Sequence, residues 1–307
     1  MGKILIRLSL LLILAIAGYS HAQINYDELS IEALTARSYG GGTIQLVEVM
    51  QVTPNFTRFL IAYPSDDLTI YGFMNVPHVE GSLPVIIAIH GYVNPSVYGT
   101  LDYTTRYADA LANAGYLVIH PNLRNYSPSD ADPGDNLFRI GYAIDVLNLI
   151  GIVQEQGGQP GSLQQADPER MGLWGHSMGG GISIRVLTIS PHIDAAILYG
   201  SMSADEVQNH QKIVEWSGGS SGHLELDTPS DILSTIAPIN YLDRINAIVS
   251  IHHGENDTQV PLQWSLDLCR QLQTLEKLVE CYMYDDQPHT FRGTRRSVVY
   301  GAQSGIL

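Results

Sequence analysis

Gly175-His176-Ser177-Met178-Gly179 spells G-x-S-x-G between a segment that reads as a buried strand and one that reads as a helix. That context suits a nucleophile. A serine hydroxyl raised on a sharp strand-to-helix turn needs small residues two positions away on either side. The helix behind it turns its positive N-terminus toward a developing oxyanion. A serine is a weak nucleophile alone, so a base and an orienting carboxylate must follow. Asp257 lies in the loop after a later apolar strand, in His252-His253-Gly254-Glu255-Asn256-Asp257, with Glu255 as its competitor. His289 is the one histidine C-terminal to Asp257, on a loop able to bring its imidazole over Ser177.

Acyl transfer also needs donors for the oxyanion. The expected pair is the amide of Met178, next to the nucleophile, and that of Tyr92 in His90-Gly91-Tyr92, after an early strand. Tyr92, His176 and Trp216 are candidate substrate contacts. His176 is also expected to support the turn, His90 to brace its loop, and His252 and His253 to pack or hydrogen-bond. No H-E-x-x-H, carboxylate-rich loop, P-loop or dinucleotide fingerprint occurs, so no metal or cofactor is expected.

The elements that would hold these residues alternate. A β-rich stretch over 44–76 contains runs 57–63 and 68–73, which look like edge strands joined by a turn. Strands are then expected at 85–89, 116–119, 170–174, 195–199, 247–251 and 278–283. Helices are expected at 103–114, closed by Gly115, at 136–154, closed by Gly157-Gly158, and from Met178. Strand-helix alternation implies right-handed crossovers and a mostly parallel sheet of about eight strands covered on both faces. One domain is expected over 23–307, with a polar leader at 23–56. The excursion 203–246, with Trp216 and Gly218-Gly219-Ser220-Ser221-Gly222, is longer than a crossover needs. It reads as a small cap, or else as a solvated surface excursion.

The first 22 residues read as a secretory signal: Lys3 and Arg7, an apolar run Leu8–Ala17, then Ser20 and Ala22 at the cleavage positions. An uncleaved anchor is the alternative. Cleavage would take the net charge from -15 to about -17, since the segment carries no carboxylate. So acidic a chain gives no electrostatic basis for nucleic-acid binding or for docking on anionic membranes. Cys269 and Cys281 sit on a helix and the strand after it, within reach of one disulfide in an oxidising compartment; buried free thiols are the alternative. A glycan on the sequon Asn256-Asp257-Thr258 would obstruct the site, which points to a bacterial source.

With these motifs in place, the chain resembles the α/β-hydrolase superfamily over roughly residues 60–295. Gly254-Glu255-Asn256-Asp257, Val260-Pro261 and Pro288-His289-Thr290-Phe291 look like the catalytic domain of prolyl-oligopeptidase-type (S9) peptidases and of dienelactone-hydrolase-like esterases. Gly91-Tyr92 and Gly175–Gly180 also resemble bacterial cutinases and polyester hydrolases. The resemblance implies an α/β-hydrolase fold and a Ser177-His289-Asp257 triad acting on a small or polymeric carboxylic ester, with S9-like peptidase or polyester hydrolase as alternatives. A binding protein on the same fold is the non-enzymatic alternative.

Overall fold

The computed structural model describes residues 24–134 and 136–293, so the signal expected over 1–22 lies outside them. Their sheet has nine strands in the order β1-β2-β3-β5-β4-β6-β7-β8-β9. The strands are β1 Gln45–Val52, β2 Phe56–Ser65, β3 Leu68–Pro77, β4 Leu83–Ile89, β5 Leu117–Pro121, β6 Ala166–His176, β7 Ala195–Tyr199, β8 Ile248–Gly254 and β9 Val279–Tyr284. From β5 to β9 neighbours run parallel, while β1, β2 and β3 join antiparallel.

Period-2 alternation in the central strands builds a separate core on each face. Val85, Ile87 and Ile89 of β4 face one core with Leu173 and Leu198, whereas Ile86 and Ala88 face the other with Trp174, Ile197 and Tyr199. Helices α3 (Ile140–Gln156), α4 (Met178–Ile189) and α8 (Leu262–Thr274) cover the first face, and α2 (Thr105–Asn113) covers the second.

Two expectations change at the N-terminal side. The runs 57–63 and 68–73 lie in β2 and β3, which are inner strands; the edge is β1, exposed along nearly all its length. The expected leader is also built into the fold. Its helix α1 (Ile31–Ala36) is N-capped by the Ser30 hydroxyl and buries Ile31 and Leu34 in the first core. Helix α3 starts later than expected because Asn136, Phe138 and Arg139 take left-handed φ values of 46°, 53° and 57°. Asn136 Oδ1 then accepts from the Gly141 amide at 2.8 Å.

The 203–246 excursion holds α5 (Glu206–Trp216), α6 (His223–Leu226), α7 (Ser230–Ile236) and a 3-10 helix over Pro238–Arg244. Its apolar side chains Leu233, Ile236 and Leu242 join the core beneath α4 and α1. Glu206 ties α5 to α4 through Arg185 and to Arg139 at 2.9 Å, all largely buried. Breaking such a buried pair by removing one partner costs about 3–5 kcal/mol.

Candidate active site

The strand order sets where the site falls. β4 leads through α2 to β5 on one side, and the chain then returns through α3 to β6 on the other. Loops leaving the carboxyl ends of β4 and β6 therefore diverge, opening a crevice at this switch point. Ile89 pairs with Gly175, so Gly91-Tyr92 and His176-Ser177 emerge side by side.

Ser177 has φ 58° and ψ −118°, a strained conformation for a residue with a Cβ. Backbone bonds hold it there: its N–H donates to Tyr199 O at 2.9 Å, and its carbonyl accepts from Met202 and Gly180, each at 3.0 Å. The flanking glycines are required sterically. A Cβ on Gly179 would come 2.2 Å from Ile89 O, and one on Gly175 would come 2.5 Å from Gly179 O. The Met178 and Tyr92 amides carry no backbone hydrogen bond among the described residues. Met178 is buried at the first position of α4, while the Tyr92 ring is 67% exposed at the rim.

His289 Nδ1 donates to Asp257 Oδ2 at 2.7 Å. The loop bearing His289 lies against β7: a Cβ on Gly200 would come 3.2 Å from His289 Nδ1 and 3.6 Å from Asp257 Oδ2. Ser177, bonded to Tyr199 O, and the His289–Asp257 pair thus meet at the carboxyl end of β7. Among the described residues no hydrogen bond occupies His289 Nε2. Asp257 Oδ1 accepts from the Gln259 and Val260 amides at 2.8 and 2.9 Å. Burial pushes the Asp257 carboxyl up, but bonds from His253, His289 and Val260 outweigh it and hold the group well below the usual carboxylate range. Its expected competitor Glu255 is exposed and donates its amide to Tyr284 O.

His253 hydrogen-bonds, as expected, and its partners include Asp257. Its Nε2 sits 3.2 Å from Asp257 Oδ2 and 3.1 Å from Val260 O, and the Ser265 hydroxyl donates to its Nδ1 at 2.7 Å. A His-His doublet at a strand end signals burial but not which ring turns toward the acid. His252 turns the other way, toward Ser250 and Tyr284.

His176, a candidate substrate contact, is buried with both ring nitrogens engaged: the Tyr103 hydroxyl lies 2.6 Å from Nδ1, and Nε2 lies 3.0 Å from the His289 carbonyl. His90 braces its loop through Gly91 O and Asn122 O, at 2.7 and 2.8 Å. Trp216 ends α5, 46% exposed beneath Lys212, and is not brought into contact with Ser177, Asp257 or His289. A cleft of about 390 Å³ adjoins the His289 loop, lined by Leu101, Asp102, Tyr103, Arg106, His176 and Thr290. Cys269 and Cys281, on α8 and β9, place their sulfurs 2.05 Å apart. No group of His, Cys, Asp and Glu able to hold a metal occurs among the described residues.

Comparison with known proteins agrees with this architecture. The model of the dienelactone hydrolase family matches residues 70–305. Acetyl xylan esterase 1 from Thermoanaerobacterium sp. JW/SL YS485 superposes with a TM-score of 0.66 at 18% identity, covering 91% of this chain and 94% of the esterase. The acetyl xylan esterase from Paenibacillus sp. R4 gives 0.67 at 18% identity, over 92% and 93% of the two chains. The Pyrococcus horikoshii acylaminoacyl peptidase gives 0.63 at 22% identity, over 80% of this chain but 40% of the peptidase.

Proposed function

The chain belongs to the dienelactone hydrolase family, and on that premise we propose that it is an exported serine esterase with a Ser177-His289-Asp257 triad. The observation that carries the reading is the His289–Asp257 bond at 2.7 Å, at the end of β7 where the strained Ser177 is also anchored.

Ser177 Oγ attacks the ester carbonyl carbon while His289 Nε2 takes its proton. Asp257 fixes the imidazole tautomer and stabilises the imidazolium. The carbonyl oxygen, now negative, sits between the Tyr92 and Met178 amides. Collapse expels the alcohol, which takes the proton from His289. Water, deprotonated by the same imidazole, then releases the acid and frees Ser177. The adjoining cleft sets Asp102, Arg106 and Thr290 beside Leu101, a mixed lining that suits a compact ester. Export and a Cys269–Cys281 disulfide belong to the same reading: the two cysteines lie on the neighbouring α8 and β9, and such bonds persist in oxidising compartments.

Ser177→Ala is expected to lower turnover of p-nitrophenyl acetate by on the order of a million-fold and to abolish labelling by a fluorophosphonate. Wild-type-like hydrolysis by that variant would sink the proposal. A panel of short and long p-nitrophenyl esters, a feruloyl ester, a polyester film and an aminoacyl p-nitroanilide separates esterase from polyester hydrolase and peptidase.

A further inference from the structure

Tyr103 precedes α2, on the opposite side of His176 from the His289 loop, and its hydroxyl is part of a continuous buried chain of bonds. The Tyr103 oxygen packs directly against the Gly91 backbone. The Tyr103 hydroxyl lies 2.6 Å from His176 Nδ1, and His176 Nε2 lies 3.0 Å from the His289 carbonyl. The polarity of the chain follows from its ends. A carbonyl only accepts, so His176 Nε2 carries the proton, Nδ1 is the acceptor, and the Tyr103 hydroxyl donates to it. Burial keeps that imidazole neutral, lowering its pKa to about 3, with the neighbouring His289 as the next cause.

Packing leaves this chain little slack. The His176 ring stacks on Tyr199 with centroids 4.2 Å apart and lies 4.6 Å from the His289 ring. At the other end, a Cβ on Gly91 would come 2.0 Å from the Tyr103 hydroxyl and 3.0 Å from Ser177 Cβ. Gly91 precedes Tyr92, whose amide is the proposed oxyanion donor. One end of the chain is therefore the oxyanion loop and the other is the backbone of the proposed base.

We infer that Tyr103 and His176 form a positioning strut that fixes the His289 loop relative to the Gly91-Tyr92 loop, holding the base and the oxyanion donors in register about Ser177. The inference rests on the triad reading above. Neither residue touches the reacting atoms; both act through His289 and Tyr92. Loss of the strut lets the imidazole drift by a fraction of an ångström, which slows proton transfer more than it weakens substrate binding.

Tyr103→Phe deletes one oxygen from the chain. It is expected to lower kcat on p-nitrophenyl acetate about tenfold, with KM within about twofold of the wild type. His176→Gln keeps an N–H donor near the Nε2 position, whereas His176→Leu keeps only bulk. The Gln variant is expected to retain a kcat at least about tenfold above the Leu variant, a rescue that packing alone would not give. Equal kcat in the Gln and Leu variants, or wild-type kcat in Tyr103→Phe, overturns the strut. If Tyr103→Phe does not fold, the Gln and Leu pair decides. If the Leu variant does not fold either, a fall beyond about a hundredfold in the Gln variant overturns the inference. Ser177→Ala, run in parallel, separates the two levels: a silent Ser177→Ala beside an unaffected Tyr103→Phe rejects the strut alone. Activity that survives in Ser177→Ala rejects the triad beneath it.

Discussion

His253 Nε2 lies 3.2 Å from Asp257 Oδ2, the same carboxylate oxygen that accepts from His289 Nδ1 at 2.7 Å. With the Ser265 hydroxyl donating to its Nδ1, His253 is fixed as the Nε2–H tautomer and serves as a donor on the far side of the acid. The carboxylate is thus clamped between two imidazoles and two amides, and its rotation is blocked before any substrate arrives.

His253→Ala should therefore loosen Asp257 without removing it. The expected loss in kcat on p-nitrophenyl acetate is about tenfold, against about 10⁴-fold for Asp257→Asn, which reverses the tautomer preference of His289. Steady-state kinetics on both variants checks the ordering. Equal losses would mean that His253 does more than hold the acid.

The contrast between His253 and Ser177 shows what could be read from the sequence. Ser177 announces itself because its turn demands glycine at 175 and 179, and those demands are local. The central strands were legible for a related reason: β7 falls at the expected 195–199, because burial on both faces requires an unbroken apolar run. His253, Tyr103 and His176 have bonding partners 4 to 113 positions away, and no local pattern records which way their rings turn. The start of α3 was missed because its break is made of left-handed Asn136, Phe138 and Arg139 rather than of glycine or proline. The length of the excursion 203–246 is visible in the sequence, whereas the packing of Leu233, Ile236 and Leu242 beneath α4 is not.

Gly179→Ala tests the steric side of the proposed nucleophile turn. Its methyl would meet the Ile89 carbonyl at 2.2 Å, a backbone atom that cannot rotate away, so α4 must move off β4. A loss of about 1–3 kcal/mol in stability is expected, as for other overpacked sites, with loss of fluorophosphonate labelling. Chemical denaturation and a labelling gel read the two effects separately. A variant that labels at the wild-type rate would show that the turn tolerates the shift.

The chain is expected to leave the cell cleaved after Ala22 and with Cys269 bonded to Cys281. Intact mass of exported protein, with and without reduction before alkylation, reads both features at once. Replacing both cysteines with serine should cost up to about 3 kcal/mol, because the bond closes a short loop. Two alkylatable thiols in the unreduced exported protein would exclude the bond.

Stability should fall steeply as pH drops below about 6.5, and the buried histidines give the reason. Burial lowers His120 and His176 to about 3 and His252 to about 4. In the unfolded chain the same groups take up protons near pH 6.5. Between about pH 6.5 and pH 4 the unfolded state therefore binds more protons, so stability rises with pH across that window. With these histidines together, unfolding takes up about three protons, a slope on the order of 4 kcal/mol per pH unit at the steepest. Asp257 acts in the same direction at lower pH. Its depressed carboxyl contributes stability that is fully present above about pH 4 and is lost as the pH falls further, through the folded value. Urea unfolding at pH 7, 6 and 5 measures the slope. His252→Gln cannot take up a proton in either state, so it should flatten the slope by about one proton. A free energy of unfolding that stays constant from pH 7 to pH 5 would show that these imidazoles are not held neutral in the folded protein.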